Sequence, residues 1–270
     1  MKNLRIILIS IAILAVLIAA FAFLLRKKTP SLANTNLGSA SGLYNQANTL
    51  LKDGELLKAK GILQDIIINF PDFKDISEVE KQLQDLNMRI IFSALNTPQT
   101  KMYEVQSGDS LAKIAKKFNT TVELIKRSNN ISSDAIHFGR SLRIWTGKFS
   151  CVVDKSQNIL TVMSGDELVK VYIVSTGANN HTPIGTYKII NKLVNPPWYK
   201  DGKVVPPESP QNILGTRWMG FDLEGYGIHG TTEPETIGMQ ITQGCVRMLN
   251  KDVEELYLLL PVGTEVTIID

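Results

Sequence analysis

The spacing of the apolar residues changes along the chain, and this change limits the folds that the chain can adopt. At 43–95 the apolar residues recur every three or four positions, as they do on one face of a helix. From Phe149 onward the apolar runs are short and rich in β-branched residues, and Gly-, Pro- and Asn-rich turns separate them. The clear exception is a helix predicted at Asn250–Leu260, with Asn250 as its cap. The chain is therefore predicted to be multidomain, with a helical part followed by a mostly-β domain at 149–270.

The helical part at 43–95 is predicted to contain a hairpin and a third helix. The second helix of the hairpin follows the i, i+3, i+4, i+7 spacing, Pro71 ends it, and the third helix is predicted to end near Ser93. The hairpin sequence LYNQANTLLKDGELLKAKGILQDIIINFPDF resembles a single tetratricopeptide-type (TPR-like) repeat. Because one repeat cannot bury its apolar face alone, we expect it to pack on the third helix, a neighbouring domain or a protein partner. A spacer role is favoured over a peptide-binding groove.

An apolar run at 6–25 precedes the helical part. At about 1.5 Å per residue, a helix of this length matches a hydrocarbon core of roughly 30 Å, so residues 1–28 are predicted to form a transmembrane helix that anchors the chain. A cleaved signal peptide is the alternative, because Ala20–Ala22 fits a small-x-small cleavage site. The apolar run continues past that site to Arg26, which favours the anchor. The small polar residues at 29–42 are predicted to form a linker.

The basic residues are concentrated near the N-terminus. The whole chain has 29 basic and 26 acidic residues and a net charge of +3. Five of the basic residues and none of the acidic ones lie at 1–28, so 24 basic residues face 26 acidic ones in the rest of the chain. We therefore expect no nucleic-acid partner. Positive charge flanks the apolar run on both sides, so charge alone does not orient the anchor.

Residues 102–146 are predicted to form a compact β-α-α-β module, after a second linker at Asn96–Lys101. The segment YEVQSGDSLAKIAKKFNTTVELIKRSNN and the closing strand GRSLRIW resemble a LysM module. This resemblance implies binding to N-acetylglucosamine-containing glycans such as peptidoglycan. Arg140 stands where Gln is common before the last strand, and this departure affects the glycan contact inferred at that position.

Two segments of the β domain contain residues that are suited to nucleophilic catalysis. They are Gly227–Thr231, which includes His229, and Thr242–Met248, which includes Cys245. A thiol must lose its proton to attack a carbonyl carbon, and a nearby imidazole can accept that proton. The residue types and their spacing are only suggestive by themselves, because a lone histidine and a lone cysteine in a β domain are more often structural.

The β domain resembles the L,D-transpeptidase (YkuD-type) family throughout residues 149–270. The resemblance rests on the segments HTPIGTYKI, GTRWMGFD, YGIHGT and TQGCVRMLNKDVEELYLLLPVGTEVTI, which occur in the order typical of the family. It implies that Cys245 is the nucleophile and that His229 is the general base. It also implies that the Gly230 carbonyl orients the imidazole in the role that an Asp fills elsewhere.

Several neighbours of Cys245 are candidates for supporting roles. The backbone amides of Gly244 and Cys245 could face a developing oxyanion, since glycine lets the backbone approach a ligand closely. The positive charge of Arg247 would favour a thiolate and bind a substrate carboxylate. Thr242 and Arg247 match polar positions of the family's motif, whereas Gln243 stands where many members have His.

The aromatic residues and the second cysteine have separate predictions. Trp198 and Tyr199 flank Pro-rich turns and could line a cleft or a lid over Cys245, whereas Trp218 is predicted to pack in the core. Cys151 lies in an apolar strand and is predicted to be a buried structural thiol. A Cys151–Cys245 disulfide is the alternative for a chain outside the cytoplasm, but it would inactivate the proposed enzyme.

No metal site is predicted, because the three histidines and two cysteines lack the spacing of metal ligands. His181 is predicted to be a turn residue or part of the cleft wall, and His137 is predicted to face solvent. No cofactor is expected either, because the peptide bond that is broken supplies the energy for the bond that is formed.

The resemblance implies that the chain forms 3→3 cross-links in peptidoglycan. Cys245 would attack the carbonyl of the third stem residue, expel the terminal D-Ala and pass the acyl group from a thioester to an acceptor amine. Water in place of the amine would make the chain an L,D-carboxypeptidase or an endopeptidase, and a non-catalytic wall-binding scaffold is a further alternative. Both wall-directed modules would lie outside the cytoplasmic membrane. The sequence leaves open the acceptor, the third stem residue and the role of the hairpin.

Overall fold

The computed structural model describes residues 38–200 and 202–270. The predicted membrane anchor at 1–28 and most of the predicted linker at 29–42 lie outside the described residues. Within the described ranges, no helix is both long and apolar enough to cross a membrane. The chain divides into two compact units, with the boundary after Asn87.

The first unit is helical. Helix α1 (Ala40–Lys52) and helix α2 (Leu56–Asn69) form a hairpin, and helix α3 (Ile76–Phe92) begins in the same unit. Helix α1 starts inside the segment predicted to be a linker, because the hydroxyl of Ser39 accepts a hydrogen bond from the first turn and caps the helix. The predicted end of the third helix near Ser93 agrees with the observed end of α3 to within one residue.

The third helix packs on the hairpin, which is one of the three arrangements expected from the sequence. Gln82 of α3 donates a hydrogen bond to the side chain of Asn48 in α1 at 2.8 Å. The apolar faces of the three helices are directed inward, as the periodicity predicts. The fully buried apolar residues described in this unit are Ala47, Ala59, Leu63, Ile66, Val79 and Leu86.

The second unit begins with a β-α-α-β module, in the predicted order. Strands β1 (Thr100–Glu104) and β2 (Ser141–Trp145) pair in an antiparallel register, and helices α4 (Leu111–Phe118) and α5 (Val122–Ser128) lie between them in the chain. A side-chain hydroxyl caps the first turn of each helix. The core of the module consists of Val105, Leu111, Ile114, Ala115, Ile125, Ile131, Leu142 and Ile144.

The guanidinium of Arg143 in β2 fastens the end of helix α3 to this module. It donates hydrogen bonds to the carbonyls of Ile90, Ile91 and Leu95 at 3.2, 2.9 and 2.6 Å. Burial lowers the pKa of this side chain to about 10. The segment Asn96–Lys101, predicted to be a linker, is therefore held by these bonds at its start and merges into strand β1 at its end.

An eight-stranded sheet forms the framework of the C-terminal domain, which confirms the mostly-β prediction. In sheet order its strands are β13 (Val246–Arg247), β11 (Gly227–His229), β10 (Arg217–Phe221), β7 (Gly185–Val194), β14 (Glu265–Ile269), β3 (Phe149–Asp154), β4 (Ile159–Ser164) and β5 (Glu167–Ile173). Neighbouring strands are antiparallel except for the pairs β11–β13 and β14–β3, which are parallel.

Smaller elements complete the β domain. Strand β6 (Thr176–Gly177) pairs with β12 (Gln240–Thr242), and strand β8 (Trp198–Lys200) pairs with β9 (Lys203–Val205). Helix α6 (Asn250–Leu259) packs on strands β10 and β11 and is the helix predicted at Asn250–Leu260.

The βααβ module has its own core, and its residues Leu124 and Trp145 are also buried in the larger core of the β domain, which the two parts therefore share. Leu124 of α5 and Trp145 of β2 are buried in the same cluster as Phe149 of β3, and the two aromatic rings stack with centroids 6.0 Å apart. The hydroxyl of Thr121, which caps α5, also donates a hydrogen bond to the carbonyl of Leu258 in α6. The module is therefore packed on the domain and is not joined to it by a flexible tether alone.

Replacing Leu124 tests whether the module and the β domain unfold together. The side chain is fully buried, so Leu124→Ala should lower the free energy of unfolding by about 2–5 kcal/mol. Because the core is shared, the two parts should lose structure in one transition, which circular dichroism and tryptophan fluorescence can follow during denaturation in urea. The exposed Lys116→Ala variant is the control and should change stability by less than about 0.5 kcal/mol. Separate transitions of the two parts would contradict the shared core.

Candidate active site

His229 is the last residue of strand β11 and is almost completely buried. Its Nδ1 donates a hydrogen bond to the carbonyl of Gly230 at 2.7 Å, so the predicted contact between these residues is present. Burial lowers the pKa of the imidazole to about 4. The carbonyls of Gly230 and Leu214 act in the opposite direction, whereas the positive charge of Arg247 adds to the lowering. The imidazole is therefore neutral at pH 7, as a proton acceptor must be.

Cys245 lies between strands β12 and β13 and is partly exposed. Its thiol donates a hydrogen bond to the carbonyl of Gly225, with a distance of 3.4 Å between Sγ and the oxygen. Burial of the sulfur raises the pKa of the thiol to about 11. The backbone N–H of Gly227 and the charge of Arg247 lower the pKa, but not by enough to cancel the effect of burial. Burial therefore favours the neutral thiol over the thiolate.

The hydroxyl of Thr242 determines the shape of the loop that carries the thiol. It donates a hydrogen bond to the carbonyl of Cys245 at 2.7 Å and accepts one from the N–H of Gly244 at 3.2 Å. The amide of Gly244, one of the two amides predicted to face an oxyanion, is therefore engaged by Thr242. Gly244 has a different function, because a Cβ at this position would lie 2.6 Å from the ring of Tyr226, and its φ of +127° is one that only glycine adopts readily.

The guanidinium of Arg247 is buried beside the thiol and the imidazole. Its NH1 atom donates hydrogen bonds to the carboxylate of Glu233 at 2.9 Å and to the hydroxyl of Thr236 at 3.0 Å. The ion pair with Glu233 engages one nitrogen of the guanidinium that was predicted to bind a substrate carboxylate. Among the described residues, the buried Nε atom of this arginine has no hydrogen-bond partner.

The thiol and the imidazole open into one cavity of about 640 Å³. Proline and aromatic residues form much of its wall, and polar side chains lie near the thiol. The lining residues are Asn191, Leu193, Pro196, Pro197, Trp198, Tyr199, Ile213, Leu214, Trp218, Gly225, Tyr226, His229, Ile241, Thr242, Gln243, Cys245 and Arg247. The structure thus brings together the two predicted reactive groups, the predicted polar residues and the predicted aromatic pair.

The prediction for Trp218 was wrong. Its ring lines the cavity and stacks on the imidazole of His229, with centroids 6.1 Å apart, and its Nε1 donates a hydrogen bond to Asn191 at 3.0 Å. Trp218 lies opposite His229 in the antiparallel pair of strands β10 and β11. The pairing of strands β10 and β11 would have placed Trp218 beside His229, but the sequence alone does not show which strands are neighbours in the sheet. Trp198 and Tyr199 lie on strand β8 at the cavity, and Tyr199 is largely exposed.

Cys151 and His181 do not line the cavity. Cys151 is buried in strand β3, burial raises its pKa to about 12, and it forms no disulfide with Cys245. His181 is exposed in a turn, where its Nδ1 contacts the carbonyl of Ala178 at 2.6 Å. In the part of the chain that the structure describes, no group of three or more His, Cys, Asp or Glu residues could hold a metal ion.

Two family models match the chain, and the residues that they match contain the segments on which the two resemblances rest. The model described as the L,D-transpeptidase catalytic domain matches residues 148–268, and the model described as the LysM domain matches residues 103–145. Together they cover the second compact unit from strand β1 to strand β14.

Curated relatives have names of the same kind. "Putative L,D-transpeptidase YqjB" of Bacillus subtilis (strain 168) is 41% identical over 125 residues, which cover 44% of this chain and 70% of that protein. "Putative L,D-transpeptidase YkuD" of the same strain is 31% identical over 173 residues, which cover 62% of this chain and 97% of that protein. A crystal structure of an L,D-transpeptidase from Mycobacterium tuberculosis H37Rv has 18% sequence identity to this chain and a TM-score of 0.40. The match covers 49% of this chain and 63% of that chain, and it is too remote to inform the site.

The low pKa of His229 predicts a loss of stability in acid. The unfolded histidine binds a proton near pH 6.5, whereas the folded one does so only near pH 4, so the unfolded state binds more protons between these values. The free energy of unfolding should therefore fall by about 1.4 kcal/mol per pH unit as the pH decreases through this window. Urea denaturation at several pH values measures the slope. His229→Gln should have a shallower slope, whereas the exposed His181→Gln should keep that of the wild type; equal slopes in all three would contradict the assignment.

Proposed function

The chain belongs to the L,D-transpeptidase family, and from this premise we propose that Cys245 transfers an acyl group from a peptidoglycan stem peptide to an acceptor amine. One observation carries the proposal. Cys245 Sγ and the His229 imidazole open into the same cavity, and the imidazole is oriented by the hydrogen bond of its Nδ1 to the Gly230 carbonyl at 2.7 Å. Because Nδ1 donates in that bond, Nε2 is the nitrogen that can accept a proton.

Acylation begins with both groups neutral. The pKa of the thiol is about 11 and that of the imidazole is about 4, so a preformed thiolate–imidazolium pair is disfavoured at pH 7. His229 accepts the thiol proton as Sγ bonds to the carbonyl carbon of the third stem residue, and the carbonyl electron pair moves to the oxygen. The N–H of Cys245 is the candidate donor to this oxyanion, because the amide of Gly244 is engaged by Thr242.

The tetrahedral intermediate then collapses to a thioester. The C–N bond to the terminal D-Ala breaks, and the leaving amine takes the proton from His229. In the second half of the reaction, the acceptor amine attacks the thioester, His229 takes a proton from the amine, and the thiol is restored. The positive charge of Arg247, which is paired with Glu233, favours the anionic form of the Cys245 sulfur in both halves of the reaction.

The remaining modules support a place at the cell wall. We propose that the LysM domain at 103–145 binds glycan strands of peptidoglycan, which raises the local concentration of stem peptides. Residues 1–28 would anchor the chain in the cytoplasmic membrane with the catalytic domain on its outer side. The composition of that segment is the support for this part of the proposal.

Purified tetrapeptide muropeptides test the reaction. The wild-type chain should release D-Ala and form cross-linked dimers, which liquid chromatography with mass spectrometry detects. Cys245→Ala should lose both products because it lacks the nucleophile. Cys151→Ala is the matched control, since that thiol is buried away from the cavity, and it should keep dimer formation. Accumulation of tripeptide without dimer would show that water is the acceptor and would overturn the transferase proposal.

The high pKa of Cys245 predicts how the thiol reacts with iodoacetamide. Only the thiolate is alkylated, so the rate should rise about tenfold per pH unit from about pH 6 to about pH 9. Mass spectrometry of the native protein should locate the adduct on Cys245 and leave the buried Cys151 unmodified. A rate that is constant over this range would mean that the thiolate already exists as an ion pair, contrary to the neutral resting state.

A further inference from the structure

We propose that Asn250 is a positioning residue that controls the His229 imidazole through the peptide group between Gly230 and Thr231. Asn250 is the first residue of helix α6 and does not line the cavity. The sequence predicted a helix cap at this position. The structure places the cap one residue earlier, at Leu249, and the helix has no side-chain cap. The carboxamide is therefore available for other contacts.

All three hydrogen bonds of the Asn250 side chain go to two loops beside the imidazole. Its Oδ1 accepts from the N–H groups of Thr231 and Thr216, at 3.0 and 3.2 Å. Its Nδ2 donates to the carbonyl of Thr231 at 2.8 Å. A side chain needs both an acceptor and a donor to make these contacts, and a carboxamide supplies both.

One peptide group joins Asn250 to His229. The N–H of Thr231, which donates to Asn250 Oδ1, and the carbonyl of Gly230, which accepts from His229 Nδ1 at 2.7 Å, belong to the same peptide group. A trans peptide is planar, and its N–H and C=O point in opposite directions. The contacts therefore form a continuous chain from Asn250 Oδ1 through the peptide to the imidazole. Hydrogen bonds in such a chain polarise one another and strengthen the carbonyl as an acceptor.

The neighbouring glycines make this close approach possible. A Cβ at Gly230 would lie 2.1 Å from Asn250 Oδ1, and a Cβ at Gly215 would lie 2.2 Å from the same atom. Gly215 also has a φ of +64°, which favours glycine. The second loop contains Leu214, whose carbonyl also acts on the imidazole. Asn250 thus holds both loops that supply carbonyl acceptors to His229.

The inference rests on the proposed role of His229 as the general base. The polarised carbonyl of Gly230 stabilises the imidazolium that forms when the thiol proton arrives, and the fixed peptide keeps Nε2 directed at the proton. The charged group that acts on the imidazole is Arg247, which is paired with Glu233, and the titratable Cys245 lines the same cavity. Asn250 itself is uncharged and touches no reacting atom, so its effect is on orientation and polarisation.

Two substitutions separate hydrogen bonding from packing. Asn250→Leu keeps the volume but removes the acceptor, and it should lower kcat for dimer formation by roughly 10²-fold without a change in KM. Asn250→Asp keeps the acceptor for the N–H groups of Thr231 and Thr216 and loses only the bond to the Thr231 carbonyl, so it should retain more activity than Asn250→Leu and remain within about tenfold of the wild type. The exposed neighbour Lys251→Ala is the control and should match the wild type. Equal kcat values for the Leu, Asp and wild-type proteins would overturn the proposal, as would rescue by Leu in preference to Asp.

A proton NMR measurement on the unliganded protein tests the same contact without reference to activity. The His229 Nδ1 proton should be deshielded and slow to exchange in the wild type and in Asn250→Asp. In Asn250→Leu it should move upfield or be lost to exchange with water. If Asn250→Leu does not fold, Asn250→Ala takes its place, and loss of the resonance in Asn250→Asp would by itself overturn the proposal. A wild-type chain with this resonance but no cross-linking activity would contradict the proposed function and leave the positioning role intact.

Discussion

Burial of the His229 imidazole is the constraint on which the arrangement of the site depends. Burial removes water from the ring and penalises its charged form, so the pKa falls to about 4. The same enclosure raises the pKa of the Cys245 thiol to about 11. The surrounding groups reduce both effects, since the carbonyls of Gly230 and Leu214 favour the imidazolium and the N–H of Gly227 favours the thiolate. Burial therefore favours the neutral forms of both groups, and the surrounding groups would stabilise the charges that the proposed proton transfer creates.

Helix α6 is tied to different parts of the second unit at its two ends. At its start, Asn250 holds the loops beside the imidazole. At its other end, the ammonium of Lys192 donates to the carbonyls of Tyr257 and Leu260 at 2.7 and 2.8 Å, and burial lowers the pKa of this lysine to about 8. The hydroxyl of Thr121, in the LysM domain, donates a hydrogen bond to the carbonyl of Leu258 in the same turn. These groups satisfy the carbonyls that a helix leaves without partners at its end.

The shared core of the two modules changes how the proposed glycan binding would work. A module on a flexible tether raises the local concentration of substrate and leaves its orientation free. Here Leu124 and Trp145 are buried with Phe149 in one cluster, so the module and the cavity keep a constant geometry. A glycan strand bound to the module would therefore present its stem peptides to Cys245 from a restricted range of directions.

The sequence by itself determined the division into a helical part, a β-α-α-β module and a mostly-β domain, because hydrophobic periodicity is a local property. Its motifs also identified Cys245, His229 and Gly230 as candidates through the family resemblance. Only the tertiary structure decided that Thr242 occupies the amide of Gly244, that Trp218 stacks on the imidazole, and that Asn250 serves two loops instead of capping its own helix. The contacts of Trp218 and Asn250 join groups that are distant in the chain, and strand pairing or helix packing must bring them together first. The pKa values of the thiol and the imidazole were undetermined for the same reason, since burial is set by the whole fold and not by the neighbouring residues.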